Sequence, residues 1–280
     1  MRKSVIVYNK ANELAVSLYE TMREWLENRG IAASGCDSHS CRTGEADPEA
    51  EFAVSIGGDG TFLSCARAVS HRPIPILPIH LGTFGFITEV TQNEWSEMLK
   101  LWLDGGLRIE ERLVIDVKVW RGEHIAAQFT GVNDCVVSTV GSCKLIRLAL
   151  SLGGFDAGHF LGDGLLLATP TGSTAYSLAA GGPIMVPNMA AMILTPICPF
   201  SLSWRPMVIP DTDQIVIKPD PGQKVDIQIA VDGQESHPLE KHDRVIITGR
   251  QGGVKIIKSN KRGFYEVVRS KLGWSGGPYA

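Results

Sequence analysis

The segment Gly57-Gly58-Asp59-Gly60-Thr61 has the residue types and spacing of a phosphate-binding turn. Its glycines let the backbone approach a bulky anion, and the N–H groups at the start of a following helix would face phosphate oxygens. Because a carboxylate would repel such a ligand, we interpret Asp59 as the proton acceptor for an attacking hydroxyl or as a partner of Mg²⁺. The structural alternative is a tight strand-to-helix turn in which Asp59 caps the helix.

A second segment combines hydroxyls, glycines and one aromatic ring after an apolar run. It begins at Asp163, continues through Thr169-Pro170-Thr171-Gly172-Ser173-Thr174-Ala175-Tyr176 and extends to Pro183. Such a surface suits a nucleoside, because Tyr176 could stack on a base or a nicotinamide ring and Asp163 could accept from an amide or a ribose hydroxyl. A lone tyrosine is more often part of a core, so that alternative stays open.

The pair Asn133-Asp134 is a third candidate. An adjacent amide and carboxylate can read an adenine edge and bind ribose hydroxyls. Asn-Asp is also an ordinary turn sequence, so the pair has meaning only together with the other segments.

Alternating strands and helices are predicted to position the glycine turn. Buried strands are predicted over residues 4–8, 52–56 and 74–79, and helices after Asn12, from about Phe62 and over residues 94–103. This alternation predicts a Rossmann-like open α/β sheet in a domain spanning residues 1–105.

The remaining chain is predicted to be rich in β-structure. From about Leu107 onward, short alternating stretches are separated by Gly, Pro and Asp turns. We predict a second domain over residues 106–263, with strands at 114–120, 125–130, 135–140, 215–218, 225–231, 244–248 and 254–259. The tail, residues 264–280, is predicted to return to the first domain.

Composition excludes several classes of partner. The chain has 27 Lys and Arg against 30 Asp and Glu, a net charge of −3, so no nucleic acid or acidic membrane is expected to bind through overall charge. No apolar run approaches the roughly 18 residues that span a bilayer. The cysteines lack a C-x-x-C pair and the start resembles no signal peptide, which favours a reducing cytoplasm. Cys36, His39 and Cys41 lie close together without a fourth metal ligand, which favours a plain loop.

Together and in this order, the motifs resemble the NAD kinase family over nearly the whole chain. The matching strings run from Ser55-Ile56-Gly57-Gly58-Asp59-Gly60-Thr61 through Leu81-Gly82-Thr83-Phe84-Gly85-Phe86, Asn133-Asp134 and the hydroxyl-rich string to Thr195-Pro196-Ile197-Cys198-Pro199 and Val231-Asp232-Gly233-Gln234. The glycine–aspartate motif is shared with lipid kinases, whereas the string ending at Tyr176 is specific.

The resemblance implies a phosphotransferase that uses ATP to phosphorylate the 2′-hydroxyl of the adenosine ribose of NAD, giving NADP. It also implies Mg²⁺ or another divalent cation held mainly by the donor phosphates, without an assigned protein ligand. The implied architecture is an α/β N-terminal domain and a β-rich C-terminal domain, with the active site between them and assembly into a homodimer or homotetramer.

The resemblance also implies roles for individual residues. Asp59 matches the family's proton acceptor. The phosphoryl-donor site would comprise Gly57, Gly58, Gly60 and Thr61. The NAD-binding set would comprise Asp59, Gly60, Asn133, Asp134, Lys144, Asp163, Thr174, Ala175, Tyr176, Ser177, Leu178, Ala179 and Gln234.

Several positions depart from the family pattern. Asp134 stands where Glu is usual and reaches about one methylene less far. Ala179, Phe200 and Leu161 replace Ser, His and a basic residue. These changes remove polar contacts and are expected to alter ligand affinity and regulation more than activity. Lys144 is either a ligand contact or a solvated surface group.

Two other functions remain open at this point. A lipid kinase shares the glycine–aspartate turn but would need an apolar acceptor cleft in place of the polar residues 171–176. A dinucleotide sensor without catalysis would keep the binding surface alone. The range of phosphoryl donors and the acceptance of NADH do not follow from the residues.

Overall fold

The computed structural model describes residues 2–41, 43–82, 85–141 and 144–274. Thr83 and Phe84 of the predicted motif, and Cys143, lie outside the described residues. The chain folds into two compact units, the first made of residues up to Glu111 together with those from Val254 onward, and the second of Arg112–Gly253. No helix within the described ranges is long and apolar enough to cross a membrane.

The first half of the chain contains β1 (Arg2–Tyr8), α1 (Glu13–Glu27), β2 (Ile31–Asp37), β3 (Phe52–Ile56), α2 (Asp59–Ala68), β4 (Pro75–His80), β5 (Val90–Thr91), α3 (Trp95–Leu103), β6 (Ile109–Arg121), β7 (His124–Gly131) and β8 (Asp134–Thr139). The second half contains β9 (Ile146–Leu152), β10 (Phe155–Gly162), β11 (Gly164–Ala168), a 3-10 turn (Gly172–Thr174), α4 (Tyr176–Ala179), β12 (Ala191–Ile197), β13 (Met207–Pro210), β14 (Ile215–Pro219), β15 (Ile227–Val231), β16 (Glu235–Leu239), β17 (Arg244–Ile257) and α5 (Phe264–Leu272).

The first unit is built on a parallel sheet. Strand β1 pairs in parallel with β2 and β3, and β3 pairs in parallel with β4. Strand β3 is apolar except for Ser55 and is buried throughout, as expected for a parallel strand covered on both faces. In the order β2-β1-β3-β4, the chain adds β2 on one side of β1 and then β3 on the other. Ligands of open α/β sheets bind at such a switch point, here between β1 and β3. The structure confirms the predicted Rossmann-like α/β domain.

The second unit consists of antiparallel sheets around one apolar core. One sheet has the order β13-β12-β11-β8-β15-β16. In the other sheet, β9 pairs with β10 on one side and with β14 on the other. Val, Ile and Leu side chains from both sheets fill the core, among them Val137 and Leu165 from the first sheet and Ile217 from the second. Within the described part of 112–253, helical residues are confined to the 3-10 turn and α4. The predicted β-rich C-terminal domain is therefore confirmed.

Several segments differ from the sequence-based expectation, and strands β9, β10, β12, β13 and β16 of the second unit are among those without a predicted counterpart. The strands predicted at 244–248 and 254–259 form one continuous strand, β17, which ends at Ile257 and passes through Gly252, whose φ of 66° glycine adopts easily. Strand β2 had no predicted counterpart, since its Ala, Ser and Gly residues lack an apolar run. The division into residues 1–105, 106–263 and 264–280 stays a prediction about domains.

A disulfide joins Cys36, near the end of β2, to Cys41 in the loop that follows, and their Cα atoms lie 6.0 Å apart. The backbone turns back on itself there because the N–H groups of Ser40 and Cys41 both donate to the Asp37 carbonyl, at 3.1 and 2.8 Å. The prediction of a plain loop over Cys36, His39 and Cys41 is therefore corrected, because a disulfide closes this segment. Proximity in space, which spacing alone does not give, decides it.

The start of α1 follows the sequence prediction. The Asn12 side chain accepts hydrogen bonds from the N–H groups of Leu14 and Ala15, at 3.0 and 3.3 Å, which satisfies two groups that have no partner inside the helix. The helix then buries Met22 and Leu26 against the sheet.

We expect Asn12→Ala to lower the free energy of unfolding by about 1 kcal/mol, since alanine cannot accept the two hydrogen bonds. Urea unfolding followed by circular dichroism would measure the change. Asn12→Asp is the matched control, because it keeps an accepting oxygen and should stay within a few tenths of a kcal/mol of the parent. Equal losses in the two variants would contradict the capping role.

Candidate active site

The glycine turn begins directly after β3, beside the end of β1. Tyr8 and Ile56 are paired at the ends of these strands, and the Gly57 N–H donates to the Ile79 carbonyl at 2.9 Å. Gly57 has a φ of 155°, and a β-carbon added there would lie 2.3 Å from the Thr61 hydroxyl. The fold itself therefore requires a glycine at this position.

Gly58 and Gly60 face open space instead. A β-carbon added at either position would meet no atom within 4 Å. Their backbone lies at the exposed start of α2, where N–H groups and the helix dipole favour an anion. The open space and the dipole together make this the part of the turn that a phosphate group can approach.

Asp59 binds a distant loop through main-chain and side-chain donors. Its Oδ2 accepts from the Phe86 N–H at 2.8 Å, and its Oδ1 accepts from the N–H groups of Ile87 and Thr88 at 3.2 and 3.1 Å. The Thr88 hydroxyl donates to the same Oδ1 at 3.0 Å. The helix-cap alternative for Asp59 is wrong, because Gly58 occupies the cap position and no side chain caps α2.

The loop bound by Asp59 also requires a glycine. A β-carbon added at Gly85 would lie 2.0 Å from Asp59 Oδ1. Relieving this clash would require a shift of the main chain or of the Asp59 side chain, at a cost in stability. Gly85 therefore allows the close approach of residues 86–88 to the carboxylate. The half-buried Asp59 side chain is therefore fixed at its backbone by the start of α2 and at its carboxylate by this loop.

In the second unit, Asp232 organises the turn that contains Asn133 and Asp134. Its carboxylate accepts hydrogen bonds from the N–H groups of Val132, Asn133 and Asp134, at 2.9, 2.7 and 3.2 Å. Asp232 has a φ of 52°, a left-handed conformation that aspartate tolerates better than most residues. The Asp-Gly pair at 232–233 is a recognisable turn signal in the sequence, but it does not indicate that Asp232 holds residues 132–134.

The hydroxyl-rich string approaches the same turn from the opposite side. The Thr169 N–H donates to the Asn133 carbonyl at 2.8 Å, and the Thr169 hydroxyl donates to the Val132 carbonyl at 2.5 Å. A β-carbon on Gly172 would lie 2.0 Å from the Asn133 carbonyl oxygen, so glycine is needed for this contact. The structure thus brings Asn133, Asp134 and the start of the string together.

Several hydroxyls of the string stabilise the protein itself. The buried Ser173 hydroxyl donates to the Pro170 carbonyl at 2.7 Å, and the buried Ser177 and Thr195 hydroxyls are hydrogen-bonded at 3.0 Å. Tyr176 is 48% exposed, so the core alternative for this ring is wrong. The string therefore combines buried structural hydroxyls with an accessible aromatic ring.

Three of the predicted NAD-binding residues of this unit lie near the two ends of strand β11. Asp134 is paired with Ala168 at one end, whereas Asp163 and Lys144 lie toward the other, where Gly164 is paired with Ser138. These ends are roughly 15 Å apart for a five-residue strand. The hydrogen bond from Ser177 to Thr195 places α4 over the middle of the sheet, because Thr195 is paired with Leu166. An extended ligand could contact both ends.

Burial of the predicted residues varies. Asp163, Thr174, Ala175 and Leu178 are half-buried; Lys144, Ala179 and Gln234 are exposed; Ser177 is buried. Asn133 Oδ1 is buried and accepts no hydrogen bond from the described residues. A buried acceptor without a donor is costly in a finished fold and is a natural contact for a ligand amino group.

Asp134 is in an unfavourable environment for a charge. It is 5% exposed, and burial together with the nearby charge of Asp232 raises the pKa of its carboxyl to about 7. The carboxyl can therefore gain or lose a proton near neutral pH. Among the described residues, no group of three or more His, Cys, Asp or Glu side chains is placed to hold a metal ion.

Both halves of the chain match family models. The ATP-NAD kinase N-terminal domain matches residues 12–107, and the ATP-NAD kinase C-terminal domain matches residues 132–259. An NAD kinase of Treponema denticola is 40% identical over 99% of this chain and 98% of its own length. An NAD kinase of Solibacter usitatus is 35% identical over 97% of this chain and 98% of its own length.

Solved structures show the same fold. A yeast NADH kinase complexed with NADH superposes with a TM-score of 0.83 at 23% identity, covering 100% of this chain and 90% of its own. An NAD kinase from Archaeoglobus fulgidus in complex with ATP gives a TM-score of 0.76 at 23% identity, covering 98% of this chain and 100% of its own. At this level of identity the likeness concerns the fold alone.

The raised pKa of Asp134 predicts a pH-dependent stability. The folded chain holds this proton up to about pH 7, whereas the ordinary value is 3.8, so the free energy of unfolding falls as pH rises between these values. Asp134→Asn removes the titration, and its stability gain over the parent should be larger at pH 8 than at pH 5, by on the order of 2 kcal/mol. Urea unfolding at both pH values would measure it.

Asp226→Asn is the matched control, because Asp226 is an exposed carboxylate of the same unit. It should change the free energy of unfolding equally little at both pH values. A difference between Asp134→Asn and the parent that does not vary with pH would contradict the expected titration.

Proposed function

Because the chain belongs to the NAD kinase family, we propose that it transfers the γ-phosphoryl group of ATP to the 2′-hydroxyl of the adenosine ribose of NAD. The observation that carries the proposal is the Asp59 carboxylate, which is fixed beside the open backbone at Gly58 and Gly60. A base held next to an anion-accepting turn is the arrangement that phosphorylation of an alcohol needs.

Asp59 acts as the proton acceptor in this proposal. As the ribose oxygen forms its bond to the γ-phosphorus, the bond from that phosphorus to the bridging oxygen of ADP breaks. The hydroxyl proton passes to the Asp59 carboxylate. Transition states of this kind are loose, so positioning and electrostatics supply most of the acceleration. The N–H groups at the start of α2, with Gly57, Gly58, Gly60 and Thr61, receive the donor phosphates.

Mg²⁺ or another divalent cation would neutralise charge on the donor phosphates. The turn offers one carboxylate, Asp59, and the described residues contain no cluster of metal-ligating side chains. This donor set fits a cation carried mainly by phosphate oxygens, with few protein ligands, as Mg²⁺ commonly is.

The second unit holds NAD in this proposal. Asn133 Oδ1 accepts from the adenine amino group, which would satisfy the buried oxygen that has no donor among the described residues. Asp134 contacts the adenosine half, directly or through water, and Asp163 accepts from the nicotinamide end. Thr174, Ala175, Tyr176, Ser177, Leu178 and Ala179 line the dinucleotide, with Lys144 and Gln234 near its ends.

A cytoplasmic location and a homodimer or homotetramer complete the proposal. The location rests on the cysteine spacing and the start of the sequence, whereas the Cys36–Cys41 disulfide is more typical of an oxidising compartment. The oligomeric state rests on the family. Incubating the purified protein with NAD, Mg²⁺ and each phosphoryl donor in turn, and then measuring NADP, tests the reaction itself. Tight NAD binding without NADP formation under every donor would favour a dinucleotide sensor instead.

We expect Asp59→Asn to lower kcat by roughly 10²- to 10⁴-fold, because an amide cannot take the hydroxyl proton. NAD binding measured by calorimetry should persist, since the acceptor contacts assigned to the second unit are untouched. The exposed Asp104→Asn in the same unit is the control and should retain parental turnover. An Asp59→Asn enzyme that forms NADP at the parental rate would show that this carboxylate is not the base.

Two glycine variants distinguish a glycine that faces a proposed ligand from a glycine that the fold itself requires. Gly60→Ala should keep or raise the melting temperature, because the added methyl meets no atom within 4 Å and alanine favours a helix. The same methyl should raise KM for ATP or NAD by roughly 10-fold or more, through its contact with the ligand. Gly85→Ala is the opposite case and should lower the melting temperature, because its β-carbon meets Asp59. Parental KM values for Gly60→Ala would contradict the donor-site assignment.

A further inference from the structure

Thr88 makes two hydrogen bonds to the carboxylate proposed as the base. Its N–H and its hydroxyl both donate to Asp59 Oδ1, at 3.1 and 3.0 Å. The Thr88 hydroxyl oxygen in turn accepts from the Gly85 N–H at 3.1 Å. A hydroxyl has a single proton, and the incoming Gly85 N–H occupies one lone pair, so the proton is directed at Asp59.

The two oxygens of Asp59 are consequently unequal. Among the described residues, Oδ1 accepts three hydrogen bonds, one from Ile87 and two from Thr88, whereas Oδ2 accepts one, from Phe86. Each carboxylate oxygen offers about two lone-pair sites, so the three donors around Oδ1 leave no approach for a further partner, whereas Oδ2 keeps one. Without the Thr88 hydroxyl, one side of Oδ1 would be open to another donor. The geometry selects Oδ2 as the atom that faces a reacting hydroxyl.

Thr88 is itself held rigidly. It is 0% exposed, and the next residue, Glu89, is buried and ion-paired with Lys258. The Arg262 guanidinium donates to the Glu89 carbonyl at 2.9 Å and also pairs with Glu94 at 2.9 Å. A loop anchored in this way on its C-terminal side presents the Thr88 hydroxyl in one position, before any ligand arrives.

We propose that Thr88 is a positioning residue whose hydroxyl blocks the remaining approach to Oδ1 of Asp59 and thereby assigns proton acceptance to Oδ2. This inference rests on the proposed function, since it concerns the same carboxylate. The competing explanation is that Thr88 only stabilises the loop. That explanation predicts a change in stability and no change in turnover per folded molecule.

Thr88→Val and Thr88→Ser distinguish the two explanations. Valine has nearly the same shape and keeps the N–H bond to Oδ1, but it loses the hydroxyl and leaves the Gly85 N–H without its acceptor. Serine keeps the hydroxyl and loses only a buried methyl group. Both variants are expected to lower the melting temperature, so stability alone does not separate the explanations.

Steady-state kinetics with NAD and ATP supplies the decisive measurement. We expect Thr88→Val to lower kcat by roughly 10- to 100-fold, the equivalent of one hydrogen bond to a charged group, with KM for NAD within about twofold of the parent. Thr88→Ser should restore kcat to within about threefold of the parent. Parental kcat in folded Thr88→Val, or equal impairment of the two variants, would overturn the inference.

A double variant tests whether Thr88 acts through Asp59. In an Asp59→Asn background, Thr88→Val should change the residual rate by less than about twofold, because the group it positions is gone. A further loss as large as in the parent would overturn the inference. If Asp59→Asn is impaired while Thr88→Val is not, this inference alone fails, whereas parental turnover in Asp59→Asn removes the proposed function as well.

Discussion

The central constraint in this structure is a carboxylate held by the N–H groups of a remote loop. Loops expose backbone donors that must find acceptors when they are buried, and Asp59 supplies the acceptor for residues 86–88. The same contacts that satisfy the loop also immobilise the carboxylate. One interaction therefore serves the packing of the first unit and the orientation of the proposed base. Gly85 belongs to this constraint because only glycine allows the approach.

The second unit uses the same physical solution. Asp232 accepts three N–H bonds from residues 132–134 and fixes the turn that carries Asn133 and Asp134. The charge that satisfies the turn has a cost, because it lies close to the buried Asp134 and contributes to the raised pKa of that carboxyl. Burial of Asp134 is the larger cause of the shift, and holding this turn with the half-buried charge of Asp232 adds to it.

Local features could be predicted from the sequence, and remote contacts could not. The Asn12 cap and the strand at 52–56 depend on neighbouring residues, and both are confirmed. Asp59 accepts its hydrogen bonds from residues that lie 27 to 29 positions later in the chain, and Asp232 accepts from residues about 100 positions earlier. These bonds depend on the tertiary fold. Sequence also cannot separate Gly85, which the fold requires, from Gly60, which faces open space.

Hydrogen-bond satisfaction divides the polar residues of the candidate site into two kinds. Ser173 and Ser177 are buried and bonded within the protein, so their hydroxyls stabilise the unbound fold. Asn133 Oδ1 is buried without a donor among the described residues, which makes the unbound fold less stable by an amount that a ligand donor would recover. Such an oxygen contributes more to affinity than an exposed one, because its hydration has already been lost during folding. The composition of a polar string therefore does not show which hydroxyls the fold itself uses, whereas the distribution of satisfied and unsatisfied groups does.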